Sequence, residues 1–149
     1  MDIPPSIPGA DEFFRAFSAF EYALKRAGYV RCGRKTPSGN HVAEPNWPEF
    51  ASKMADKIQA LIDDPPLDIR TLLNRPPAIH VVKSMNGLSW ERRSPVRSPR
   101  DLIYALNGVR NNLFHGEKHP GDARDEELIA ASLNVLRRLH PLLRPRAMS

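Results

Sequence analysis

The chain has 149 residues with a formal net charge of +5, 41% hydrophobic and 26% charged residues. That length suits one domain with a real core, expected here over residues 1–149, and the composition is that of an ordinary globular protein. Apolar runs stay well short of the roughly 20 residues of a membrane span, the proline-rich start does not read as a signal peptide, and one cysteine, Cys32, rules out an internal disulfide framework. A reducing, cytoplasmic setting away from membranes is expected.

The 15 prolines divide the chain, because proline breaks helix interiors and is tolerated only in the first turn. The first window, about Asp11 to Ala27, predicts a helix: Phe13, Phe17, Phe20 and Leu24 form one apolar stripe. Asp11 and Glu12 suit its start, Lys25 and Arg26 its end, and Gly28 its stop. The second predicted helix runs from about Trp47 to Asp63, capped by Asn46, with Pro48 in its first turn and Phe50, Met54, Ile58, Leu61 and Ile62 inward.

The segment 65–99 reads as an insertion or long connection. Ile79 to Val82 is β-branched, Asn86-Gly87 is a turn signal, and Leu88 and Trp90 alternate with polar residues. A β-hairpin over about Ala78–Lys83 and Leu88–Arg92 follows. The third helix opens at Ser98-Pro99-Arg100-Asp101, a capping-box-like start. It buries Leu102, Leu106, Val109 and Leu113 and should end at His115, before Gly116. The fourth runs from about Ala123 to Leu139, capped by Asp122, with Leu128, Ile129, Leu133, Val135, Leu136 and Leu139 inward. Four amphipathic helices predict an all-α bundle of four main helices, with the Pro-rich, hairpin-bearing insertion between the second and third.

Charge is uneven. Between Arg75 and Arg100 six basic residues (Arg75, Lys83, Arg92, Arg93, Arg97, Arg100) face one acid, Glu91. Such a run is either solvated surface or a polyanion-binding strip that works by counterion release. Lys83, Arg92, Arg93 and Arg97 are the candidate RNA contacts.

The chemistry-bearing cluster is Arg110-Asn111-Asn112-Leu113-Phe114-His115-Gly116. Arginine supplies a permanent, planar charge for phosphate, and histidine moves protons near neutral pH. These are the needs of RNA cleavage by internal 2′-hydroxyl attack, in which a cation stabilises the charged phosphorane-like state. Positions five apart lie about 140° apart on a regular helix, so Arg110 and His115 share a site only through unwinding before Gly116 or a second subunit. The purely structural alternative has His115 capping the last turn, Arg110 answering the helix dipole and Asn112 on the surface.

The stretch Val109 to Gly116 resembles the signature of HEPN domains (higher eukaryotes and prokaryotes nucleotide-binding): arginine, then a polar residue, then histidine after four to six intervening positions. Phe20 to Tyr29 is similar to the first helix of bacterial HEPN-like proteins. The resemblance implies an all-α homodimer acting as a metal-independent endoribonuclease in toxin, phage-defence or RNA-processing roles, under an antitoxin or regulatory partner. It implies His115 as acid/base, Arg110 as phosphate and transition-state binder, Asn111 as the orienting polar group, and Glu21 as an acidic member from the first helix. No cofactor or metal is implied. The alternative is a non-catalytic module binding RNA, a nucleotide or a partner protein.

Other chemistries fit less well. His115 and His119 are four apart, but Gly116 and Pro120 argue against a helical metal pair. His41, His80 and His140 are isolated, Cys32 has no base partner nearby in sequence, and no glycine-rich phosphate loop follows a strand.

Overall fold

The computed structural model describes residues 7–82, 87–114 and 124–144. In chain order it has α1 (Ala10–Arg26), β1 (Val30–Lys35), β2 (His41–Pro45), α2 (Trp47–Lys53), α3 (Ala55–Asp63), α4 (Arg70–Asn74), β3 (Ile79–Val82), β4 (Leu88–Glu91), α5 (Pro99–Phe114) and α6 (Asp125–Leu139), with short 3₁₀ turns at Leu67–Ile69 and His140–Leu142.

The expected four-helix all-α bundle is therefore corrected. The fold is mixed α/β, with six helices (60% helical) and two antiparallel two-stranded sheets among the described residues. Three local causes account for the difference. The expected second helix bends at Met54, which adopts φ −103° and ψ 18° while its N–H still reaches Phe50 O at 2.9 Å, so the ladder is bent rather than cut. Residues 67–74, read as part of an irregular connection, coil into a 3₁₀ turn and α4, because Ile69, Leu72 and Leu73 have a core to enter. Val30–Lys35 and His41–Pro45 pair around a turn in which Thr36 N–H donates to Asn40 O at 2.7 Å and Gly39 adopts φ +90°. Most residues of this first hairpin are exposed, so it lacks the alternating apolar pattern of a half-buried strand.

The expected hairpin in the 65–99 segment is present, with Ile79 opposite Glu91, His80 opposite Trp90 and Val82 opposite Leu88. Asn86 lies outside the described residues, and Gly87 has φ +89°. The start of the third helix also matches its sequence: Ser98 Oγ accepts from Asp101 N–H at 3.1 Å, and Asp101 Oδ2 accepts from Arg97 N–H at 3.1 Å. The expected cap Asp122 lies outside the described residues, and α6 begins at Asp125 with no side-chain cap.

The core forms where the stripes of α1, α5 and α6 meet. Phe13, Phe17, Phe20 and Leu24 are buried, as are Leu102, Leu106 and Val109 of α5 and Leu128, Ile129, Val135, Leu136 and Leu139 of α6. Phe20 stacks on Trp47 (5.2 Å, 19°) and meets Phe50 edge-on (5.8 Å, 78°), which locks α1 to α2. No helix of the described residues is long and apolar enough to cross a membrane.

Ser132 of α6 is fully buried, and its hydroxyl has no hydrogen-bond partner among the described residues. An unsatisfied buried hydroxyl costs free energy, and alanine is the better helix former. Ser132→Ala should raise the unfolding free energy by roughly 1 kcal/mol, read as a higher urea midpoint at unchanged slope; a lower midpoint would mean that the hydroxyl has a partner in solution.

Candidate nucleic-acid interface at the end of α5

The interface is built on the last turns of α5. Arg110 and Asn111 are adjacent, and Arg110 Nη1 donates to Asn111 Oδ1 at 3.1 Å, which orients the guanidinium relative to the amide. Asn111 is exposed and Arg110 half-buried. Arg110 through Phe114 are helical, so the helix does not unwind within the described part of the motif. His115, the expected acid/base, lies outside the described residues, as does Lys83.

Asn112 is half-buried, and its Nδ2 donates to Ala78 O at 3.1 Å. The purely structural alternative had placed it on the surface; its amide instead reaches the backbone of another segment. The bond ties the last turn of α5 to the residue that precedes β3, so the 65–99 segment packs directly on the motif helix. Four positions before Asn112 on the same helical face, Gly108 makes the second contact. A Cβ at Gly108 would lie 3.1 Å from Pro77 Cγ and 3.2 Å from Arg93 Nη2. Here the glycine is needed for close approach: the strand leading into the hairpin and the residue leaving it both press on α5 where a side chain is missing. Arg124, at the start of α6, donates to Arg75 O, so the same Arg75–Ala78 connection is held from a third side.

The four candidate RNA contacts thus separate. Lys83 is not described. Arg92 and Arg97 are exposed; the backbone of Arg97 is fixed, its N–H by Asp101 and its carbonyl by Gln59 Nε2 at 3.0 Å. Among the described three, Arg93 is the one whose guanidinium is set against the motif helix, beside Gly108. Its Nε is buried without a hydrogen-bond partner, and burial pushes its pKa below the ordinary value, although an arginine remains charged near neutral pH. It lines a cleft of about 210 Å³ with Pro76, Ser94, Pro95, Asp101 and Tyr104.

Glu21 has a structural engagement. Its Oε2 accepts from Trp47 Nε1 at 3.2 Å, which closes the α1–α2 contact beside the Phe20–Trp47 stack. Of the isolated histidines, His140 packs edge-on against Phe20 at 6.3 Å, and His80 stacks on Trp90 at 4.5 Å. Among the described residues no group of three or more His, Cys, Asp or Glu is placed to hold a metal ion.

Sequence reasoning missed Gly108 and Tyr104 as parts of this region, and the bond from Asn112 to Ala78. The one available signal was a glycine inside an otherwise strong helical window, which implies close backbone approach. No protein-family profile, curated protein or solved structure matches the chain.

Glu21→Ala should lower stability by about 1 kcal/mol, the worth of one part-buried hydrogen bond, with Glu21→Gln recovering most of it through its amide oxygen. Both variants should retain any RNA-cleaving activity within about twofold, since a general acid or base would contribute roughly a hundredfold or more. A large loss of turnover in the stably folded Glu21→Gln protein would return Glu21 to the chemistry.

Proposed function

We propose that the chain is an endoribonuclease of the HEPN type, cleaving RNA without a metal by internal attack of the 2′-hydroxyl on the adjacent phosphate. The observation that carries this reading is the Arg110–Asn111 pair, hydrogen-bonded at the end of α5 and followed in sequence, four residues after Asn111, by His115. In this mechanism one imidazole removes the 2′-hydroxyl proton, a second acid protonates the leaving 5′-oxygen, and the Arg110 guanidinium stabilises the charge gathering on the phosphorane-like oxygens. The products are a 2′,3′-cyclic phosphate and a free 5′-hydroxyl. One histidine performs one of the two proton transfers at a time, so a homodimer that brings two copies of His115 to one cleft supplies both. The lone cysteine, Cys32, is exposed, which suits a reducing, cytoplasmic setting.

A second reading, a module that binds RNA, a nucleotide or a partner protein without cleaving it, is favoured by the Arg93 cleft. There positive charge is placed on the motif helix independently of any proton-transfer group.

The test is incubation of the purified protein with mixed cellular RNA in excess chelator, beside His115→Ala and Arg110→Ala. The wild type should cut, both variants should lose roughly a hundredfold or more in rate, and the fragments should carry 2′,3′-cyclic phosphate ends. Wild type and variants that are equally inactive yet bind RNA would favour the binding module. Cleavage that stops on chelation would overturn the metal-independent mechanism.

A further inference from the structure

A charge withdrawn from water is costly unless an opposite charge or a set of hydrogen bonds compensates it. Most arginines avoid the cost by covering the methylene stem and leaving the head in water. Arg93, half-buried as a whole, follows that pattern only in part. Burial reaches its Nε, which has no partner, and no ion pair joins it to a carboxylate of the described residues. The carboxylate that shares its cleft, Asp101, accepts the Arg97 N–H as part of the α5 cap. The guanidinium nevertheless lies close against the helix, its Nη2 3.2 Å from where a Cβ at Gly108 would be. The fold has thus set a cation against the motif helix without an ion pair to any carboxylate of the described residues, Asp101 in the same cleft included.

The rest of the cleft suggests what brings that charge. Its walls include the rings of Pro76 and Pro95 and the side chain of Tyr104, which is 48% exposed. Arg100 lies over the Tyr104 ring, 5.4 Å from its centroid, and donates to its hydroxyl at 2.9 Å, which holds the ring in position. The cleft, of about 210 Å³ and open to solvent on one side, is on the scale of a single nucleotide's base or phosphate. Tyr104 and Gly108 lie on one face of α5 with Asn111, two turns and about 10 Å further along the axis.

We infer that the cleft between the β4–α5 connection and α5 is a subsite for one nucleotide of a single-stranded RNA, with a backbone phosphate on the Arg93 guanidinium and the attached base against the Tyr104 ring. The strand then runs along α5 toward Arg110. Phosphate on arginine and base on aromatic ring is the usual division of labour in single-strand recognition. The assignment deepens the proposed RNA function and rests on it for the identity of the strand; the phosphate site itself rests only on Arg93, Gly108 and the cleft.

The test uses the full chain and two probes: a short 2′-O-methyl RNA strand, which lacks the attacking hydroxyl and stays intact, and adenosine monophosphate. Arg93→Gln should weaken strand binding about tenfold to a hundredfold and reduce the slope of log affinity against log salt by about 0.7, the signature of one lost phosphate contact on a single strand. Gly108→Ala, which keeps the arginine but crowds its guanidinium, should act in the same direction. Tyr104→Leu should weaken binding with the salt slope unchanged. The melting temperature of Arg93→Gln should not fall, since no partner in the folded chain is lost. If Arg93→Gln and Gly108→Ala bind the strand with wild-type affinity and slope, the subsite is wrong, while the cleavage test above still decides the enzyme. If the wild type ignores the strand but binds the monophosphate, and Arg93→Gln abolishes that, the phosphate site stands and the RNA reading falls. Wild-type failure with both probes, or a marked loss of melting temperature in Arg93→Gln, overturns the assignment.

Discussion

The fold depends on the burial of α5. This helix contacts α1, α2, α3, α4 and α6, and Leu102, Leu106 and Val109 are among the side chains through which it enters the core. Its start is fixed by the Ser98–Asp101 cap and its last turn by the Asn112 bond to Ala78. A helix held at both ends and buried along one side can present polar groups on the other at defined positions. The Arg110–Asn111 pair is carried by that rigid element rather than by a loop, the condition under which a polar constellation keeps its geometry.

The 65–99 segment gains its meaning from the same helix. Pro77, Ala78 and Arg93, on either side of the β3–β4 hairpin, all meet the last three turns of α5. The hairpin is thereby anchored at its base, while Val82 and Leu88 near its tip are 76% and 70% exposed. A segment that looks like an appendage in the sequence is in fact part of the wall beside the motif. Its charge excess accordingly divides between exposed arginines and the one arginine drawn inward.

The legibility of the molecule follows from what each feature requires. The long amphipathic helices were readable because each carries its own periodic record of one buried side: the stripes of α1 and α6 are buried as their spacing demands. The α5 cap was readable because Ser98, Pro99 and Asp101 act within one turn, and the β3–β4 hairpin because its turn signal is local. The β1–β2 hairpin was not, since strands such as Val-Arg-Cys-Gly-Arg-Lys have no buried face to mark them. The bend at Met54 carries neither proline nor glycine to announce it. At the site, Arg110 and Asn111 stood out as a motif. The seating of Arg93 on Gly108 and the tether from Asn112 arise between segments far apart in the chain, which no local pattern encodes. The engagement of Glu21 was illegible for the same reason: the indole of Trp47, which donates to its carboxylate, is 26 positions away.

The two small sheets leave strand edges that no other strand covers. Such edges invite pairing with another chain unless they are short, charged or irregular. Here the two sheets answer this differently. β3 and β4 have four residues each, β1 carries Arg31, Arg34 and Lys35, and its register breaks between Cys32 and Lys35, where the Glu44 side chain packs over Gly33. These features make sheet extension a poor route to self-association.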